Sequence, residues 1–186
     1  MINRKFFFEE TKTRLFNGTI NSQQQKTLTN FINVWEADPV TYKDARWLAY
    51  MLATTYHETD KKFKAIEEYG KGKGRKYGAT DPQTGKSYYG RGYVQLTWDY
   101  NYKKMGDLLD IDLYHKPELA LQDEYATPIL FVGMNRGMFT GKKLSDYFNG
   151  TKEDWVNARR IINGTDKANL IADYGRKFYA ALGIIP

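Results

Sequence analysis

The segment WLAYMLATTYHETDKKFKAIEEYG (Trp47–Gly70) passes from a run of apolar and small residues into a histidine, three glutamates and three lysines. Its first part continues an apolar stripe, Ala45, Leu48, Ala49, Leu52 and Tyr56, that predicts a buried helix beginning near Thr41, with Asp44 three residues on, and ending at Glu58. The spacing then stops. TDKK (59–62) is polar before Phe63 and Ile66 resume, so a turn is expected there. On one unbroken helix Glu58 and Glu68 would lie on different faces, about 15 Å apart along the axis. A turn lets the two carboxylates face each other across a groove. Hydrolysis of a glycosidic bond needs such a pair: a carboxylic acid to protonate the leaving oxygen and a carboxylate to activate water, roughly 6.5–9.5 Å apart in an inverting enzyme. Residue types alone favour a plainer reading, a solvated face on which the glutamates balance Lys61, Lys62 and Lys64.

Outward from this segment the periodicity is mostly helical. SQQQKTLTNFINVW opens with a capping box from Ser22 to Gln25 and puts Leu28, Phe31, Ile32 and Trp35 on one stripe, which Pro39 closes. Residues 70–92 hold seven glycines and a proline, which predicts a long irregular loop, and loops of that length in compact domains are usually functional. YVQLTW (93–98) alternates like a short strand, and DYNYKKMGDLLDI returns to helix. DEYATPILFVGMNRGMF predicts another helix with Pro128 near its first turn. Thr151 and Asp154 are placed to cap a helix carrying Trp155, Ala158 and Ile162 that stops at Asn163-Gly164, and a last helix carries Ile171, Phe178 and Leu182.

With 186 residues, 41% hydrophobic and 16% aromatic, the chain can bury a core as one domain, 1–186, comprising an N-terminal helical part, 1–38, and a main region, 40–182. The N-terminus MINRKFFFEETKTR carries charges on both sides of three phenylalanines, so neither a signal peptide nor a membrane span is expected. Zero cysteines remove disulfides and thiolate sites, and His57 and His115 are too few for a multi-histidine zinc site, so no metal or cofactor is expected. His57 is read as structural, and His115 carries no pattern. The net charge of +6 and pI near 9.2 point to an anionic partner without choosing among nucleic acid, cell wall and lipid head groups. Neither GxGxxG nor GxxxxGK[ST] can be read between Gly70 and Gly78, which argues against a nucleotide site. Tyr69, Tyr77, Tyr88 and Tyr89 among basic residues could stack on bases or on sugar rings.

YHET (56–59), KSYYGRGYVQLTWDYNY (86–102) and RRIINGT (159–165) together resemble glycoside hydrolase family 19, the chitinase-like enzymes. The resemblance covers about residues 40–182 and is strongest to the phage and bacterial endolysin branch, where a helix ending in HET leads to EYG and a Gly/Lys-rich loop. It implies a mainly α, lysozyme-like domain with a small β element and the long Gly-rich loop at the substrate groove. It also implies Glu58 as general acid, Glu68 as general base, and Thr97 as the hydroxyl that helps hold the attacking water. Gln95, Tyr100, Asn101 and Asn163 match groove-lining positions, and Arg176 matches, across a gap, a C-terminal arginine near the acid. Counting from Glu58 in some members points to Glu67 as the base, whereas Phe63 and the EYG anchor favour Glu68. Asp60 and Lys61 stand where members commonly carry two glycines.

The assignment has a physical expectation attached. Glu58, ending a helix against Leu52 and Tyr56, would be partly desolvated and kept protonated for acid work, whereas Glu68, beside Lys71, Lys73 and Arg75, would stay ionised. The function implied is that of an endolysin, a glycosidase cutting the N-acetylmuramic acid and N-acetylglucosamine backbone of peptidoglycan with inversion. The alternatives are a chitinase and, from another class, a non-catalytic basic binder of wall or nucleic acid. Peptidoglycan strands, and an anionic outer-membrane surface, are the expected partners; nucleic acid is not, and a monomer is expected. Such a lysin would wait in the host cytoplasm until a separate holin-type protein opens the membrane, and then act in the periplasm on the wall.

Overall fold

In the computed structural model, which describes residues 1–183, every residue from Trp47 to Tyr56 is buried. A helix apolar on all sides belongs inside a bundle, and α3 (Ala45–Glu58) is that central element. Its N-cap is Asp44, whose carboxylate accepts from the Arg46 N–H at 2.9 Å. The helix therefore starts four residues later than Thr41. Around it stand α1 (Arg4–Arg14), α2 (Ser22–Ala37), α4 (Asp99–Leu109), α5 (Asp123–Arg136) and α7 (Ala168–Leu182), the last packing along it most extensively. The cap of α2 is Asn21, in a reciprocal box with Gln24, one residue earlier than the Ser22–Gln25 box. Pro128 falls in the second turn of α5 rather than the first.

The expected turn after α3 exists, and it keeps a glycine-like conformation although Asp60 and Lys61 stand there. Asp60, Lys61 and Phe63 hold φ of +50°, +65° and +50°. This is the left-handed region in which glycine is the ordinary occupant. The conformation is imposed from outside the turn. Phe63 is fully buried among Phe16, Phe31, Tyr56 and Phe178, burial worth roughly 1.5–3 kcal/mol. Its carbonyl accepts from the Thr27 hydroxyl at 2.8 Å, and the Lys61 carbonyl from Gln24 Nε2 at 3.0 Å. The chain is thus stitched to α2 and sent back as β1 (Ile66–Glu67), which pairs antiparallel with β2 (Arg91–Gly92), Ile66 opposite Gly92.

Between these strands the glycine-rich segment is irregular apart from a 3₁₀ turn, Lys76–Gly78. It is closed by backbone contact. A Cβ on Gly78 would stand 2.0 Å from the Gly72 carbonyl oxygen, and Gly72 itself has φ +69°.

Two expected elements take another form. YVQLTW is not a strand: Gln95 and Trp98 have φ of +55° and +77°, and Gln95 Nε2 donates to the carbonyls of Ile66 and Gly92, so the alternating residues form a turn closed by a side chain. Residues 151–162 are not an α-helix. After α6 (Leu144–Tyr147), β3 (Phe148–Asn149) and β4 (Lys152–Glu153) make a hairpin, and Asn157–Ile161 is a 3₁₀ turn. Tertiary contacts override the local capping signal: Trp47 Nε1 donates to the Phe148 carbonyl at 3.0 Å, and Trp155 packs on Phe148 and close against Gly175 of α7.

Candidate active site

Glu58 is the last residue of α3 and Glu68 the first after β1, and both line one groove of about 480 Å³. The α3 turn and the β1–β2 pair therefore do what the sequence asked of the break, bringing the two carboxylates to one cavity. Side chains alternate along an extended chain, so Glu67 and Glu68 leave on opposite sides. Only Glu68 lines the groove. Glu67 is bound away from it, accepting from Tyr89 Oη at 2.7 Å and pairing with Lys71 at 3.0 Å. The Tyr89 hydrogen bond, with Lys71 and Arg91 adding to it against partial burial, holds its carboxyl below the usual carboxylate range.

Glu68 is fixed from two sides. Oε1 accepts from Tyr77 Oη at 3.0 Å and Oε2 from the Gly90 N–H at 3.2 Å, while the Glu68 N–H donates to the Gly90 carbonyl at 2.7 Å. Both partners come from the glycine-rich segment. Closure of that segment at Gly72 and Gly78 thus sets where Tyr77 stands.

At Glu58 the structure differs from the apolar surround expected. Oε1 accepts from Arg159 Nη1 at 2.6 Å, an ion pair whose side chains are 15% and 5% exposed, and Arg159 Nε reaches the Asp166 carbonyl at 3.1 Å. Oε2 receives no hydrogen bond from the described residues. Arg159 lies inside RRIINGT, so the motif held the signal, but nothing in its spacing says which of its two arginines turns inward. Arg176, the arginine matched to this role, is exposed on α7 and lines no part of the groove. His57, half-buried, has its imidazole pushed down by burial, with Glu58 opposing, so it is neutral near pH 7.

Thr97, Gln95, Tyr100, Asn101 and Asn163 all line the groove with Glu58 and Glu68. Thr97 Oγ1 donates to the Gln95 carbonyl at 2.7 Å, leaving its lone pairs to accept, and Asn101 Nδ2 donates to the Thr97 carbonyl at 2.9 Å. Tyr77, one of the four tyrosines read from sequence as able to stack on bases or sugar rings, and Trp98, which was not singled out, form its aromatic wall. Their rings meet edge-on at 5.3 Å, and Trp98 stacks on Tyr100 at 6.0 Å. An exposed aromatic face suits the apolar face of a sugar ring. A larger cavity of about 760 Å³ lies between α2 and α5 but contains neither Glu58 nor Glu68. Among the described residues, no cluster of three histidine, cysteine, aspartate or glutamate side chains could hold a metal ion.

The family model for glycoside hydrolase 19, described as chitinase class I, matches residues 25–132. Endochitinase CHI of Arabidopsis thaliana is 52% identical over 107 residues, 55% of this chain and 37% of that protein. Basic endochitinase CHB4 of Brassica napus is 36% identical over 119 residues, 56% of this chain and 44% of that one. The chain spans less than half the length of these curated relatives. Among solved structures, chitinase C from Streptomyces griseus superposes with a TM-score of 0.66 at 24% identity, covering 98% of this chain and 92% of that chain. At that identity the likeness speaks for the fold, and the fold is the mainly α, lysozyme-like one expected.

Proposed function

Because the chain belongs to glycoside hydrolase family 19, we propose that it hydrolyses the glycosidic bonds of an N-acetylhexosamine polymer with inversion, and that the polymer is bacterial peptidoglycan. The observation that carries the reading is Glu58 and Glu68 lining one groove, each held by partners of its own. Glu58 is the general acid. With Oε1 paired to Arg159, Oε2 is the oxygen that must take up a proton from the groove and pass it to the leaving glycosidic oxygen. Glu68 is the general base. A water between it and Thr97 gives one hydrogen bond to the Glu68 carboxylate and one to Thr97 Oγ1, whose own proton is engaged by the Gln95 carbonyl. The water's lone pair then faces the anomeric carbon, and Glu68 takes its proton as the bond to C1 forms. Trp98 and Tyr100 stack on the rings, while Asn101 and Asn163 offer amides to the N-acetyl groups.

The peptidoglycan reading draws on the endolysin-like HET to EYG segment and on the basic surface, +6 overall, which suits a polymer bearing carboxylates. In it the protein acts on the wall from the periplasm after a separate membrane-opening protein releases it from the host cytoplasm. A chitinase is the second reading, favoured by the relatives matched, which are named endochitinases. The test is digestion of Gram-negative peptidoglycan and of chitin oligomers by wild type and Glu58→Gln, with borohydride reduction of the products and mass spectrometry of the reduced end. A reduced muramic acid or glucosamine end from peptidoglycan with wild type only supports the proposal. Release from chitin oligomers alone selects the second reading, and no new reducing end from either substrate defeats both.

A further inference from the structure

The aromatic wall of the groove has a second side. Tyr77 and Trp98 also line a separate pocket of about 240 Å³, completed by Lys76, Ala79, Thr80, Asp81, Pro82, Tyr88 and Asp99. The two cavities therefore share one partition, the edge-on Tyr77–Trp98 pair. At this size the pocket falls below the roughly 300 Å³ at which free-standing small-molecule sites begin, which suits a substituent on a chain held next door.

Its charges say what kind of substituent. Among the described residues Lys76 has no carboxylate within ion-pair distance, unlike Lys71 and Lys86, which pair with Glu67 and Glu118. Asp81 is occupied with the fold, its Oδ1 accepting from Gln83 N, Thr84 N and Thr84 Oγ1, and these bonds hold its carboxyl below the usual range. Asp99, in the first turn of α4, accepts no hydrogen bond from the described residues. The pocket thus offers the unpaired Lys76 ammonium, the uncommitted Asp99 carboxylate and Asp81 Oδ2, which accepts no hydrogen bond from the described residues, with Ala79 and Pro82 as apolar wall. A neutral acetylated sugar has no use for such charges, whereas a short peptide carrying free carboxylates and a side-chain amine matches both signs.

We propose that this pocket receives the peptide substituent of a glycan strand bound in the groove, a peptide carboxylate meeting Lys76 and its amine meeting Asp99. The inference rests on the peptidoglycan reading and adds a specificity determinant to it: the partition at Tyr77 and Trp98 sorts the strand, sugar on one side and peptide on the other. Glycan strands with their peptides intact, and the same strands after an amidase has removed the peptides, separate the two claims. Wild type is expected to show a KM about tenfold lower for peptide-bearing strands, the worth of one charge-assisted contact. Lys76→Glu, a change at an exposed side chain, is expected to abolish that difference while leaving kcat on bare strands unchanged. Equal KM for both strands with wild type, or a preference that survives in Lys76→Glu, overturns the proposal while the glycosidase reading stands. Failure to cut either kind of strand removes the peptidoglycan reading and this inference with it.

Discussion

Replacing Arg159 with glutamine tests how Glu58 is held. The guanidinium, 4% exposed as a residue, makes two contacts: Nη1 to Glu58 at 2.6 Å and Nε to the Asp166 carbonyl at 3.1 Å. Removing one partner of a buried ion pair costs about 3–5 kcal/mol, because the other charge is left desolvated. Glu58 keeps 15% of its side-chain surface and opens onto the groove, so water relieves part of that penalty and the lower end, about 3 kcal/mol, is the expected loss. In a chain of this length that corresponds to a Tm lower by about 6–12 °C. The assay is urea and thermal unfolding followed by circular dichroism for Arg159→Gln, Glu58→Gln and the double variant. The double variant removes both charges, so its loss should fall short of the sum of the singles by at least about 1.5 kcal/mol. Additive losses, or an Arg159→Gln protein within about 0.5 kcal/mol of the parent, would show that the pair does not hold Glu58.

Glu58→Gln and Glu68→Gln should each lower turnover by about 10²–10⁴, whereas Glu67→Gln, outside the groove, should stay within about threefold of wild type; a Glu67 variant as impaired as Glu68→Gln would move the base. Tyr77→Phe keeps the ring against Trp98 but deletes the hydrogen bond to Glu68, so kcat should fall about tenfold with little change in unfolding midpoint, measured on the same preparations. Gly78→Ala drives a Cβ into the Gly72 carbonyl and must reshape the rim, and a loss of at least about tenfold in kcat/KM with the core helices intact by circular dichroism is the expected signature. Glu67 has a depressed folded-state pKa, so its contribution to stability is present above the ordinary carboxylate pKa of 4.5 and lost as pH falls through the lower folded value. Glu67→Gln should therefore flatten the acid limb of a stability–pH curve, and an unchanged limb would show the Tyr89 and Lys71 contacts to be inconsequential.

The helices and the central turn were legible because their signals are local and agree with the packing. The apolar stripe of α3 stops at Tyr56, and the next apolar residue, Phe63, is the one the core captures. The groove residues Glu58, Glu68, Gln95, Thr97, Tyr100, Asn101 and Asn163 were legible through motif positions, and the structure brings them to one cavity. What escaped depends on distant partners. Thr151 and Asp154 signal a helix start, but Trp155 must pack between Phe148 and α7, and the chain makes a hairpin and a 3₁₀ turn instead. The alternation of YVQLTW is real, yet Gln95 turns back to satisfy the carbonyls of β1 and β2, a contact no period reveals. Arg159 and Arg160 are adjacent in sequence, and only their burial, one inside and one exposed, separates the residue paired with Glu58 from a surface charge.

The contact of Gly72 with Gly78 is made by main chain alone. Lys73, Arg75 and Lys76 lie within the ring it closes and are all exposed, so none is needed to keep Tyr77 against Glu68. The rim is consequently modular: its shape belongs to two glycines and its charge to three side chains that can be exchanged without disturbing the shape. A lineage, or a designer, can rewrite the charge at those three positions while Glu58, Glu68 and Thr97 stay where they are in the groove.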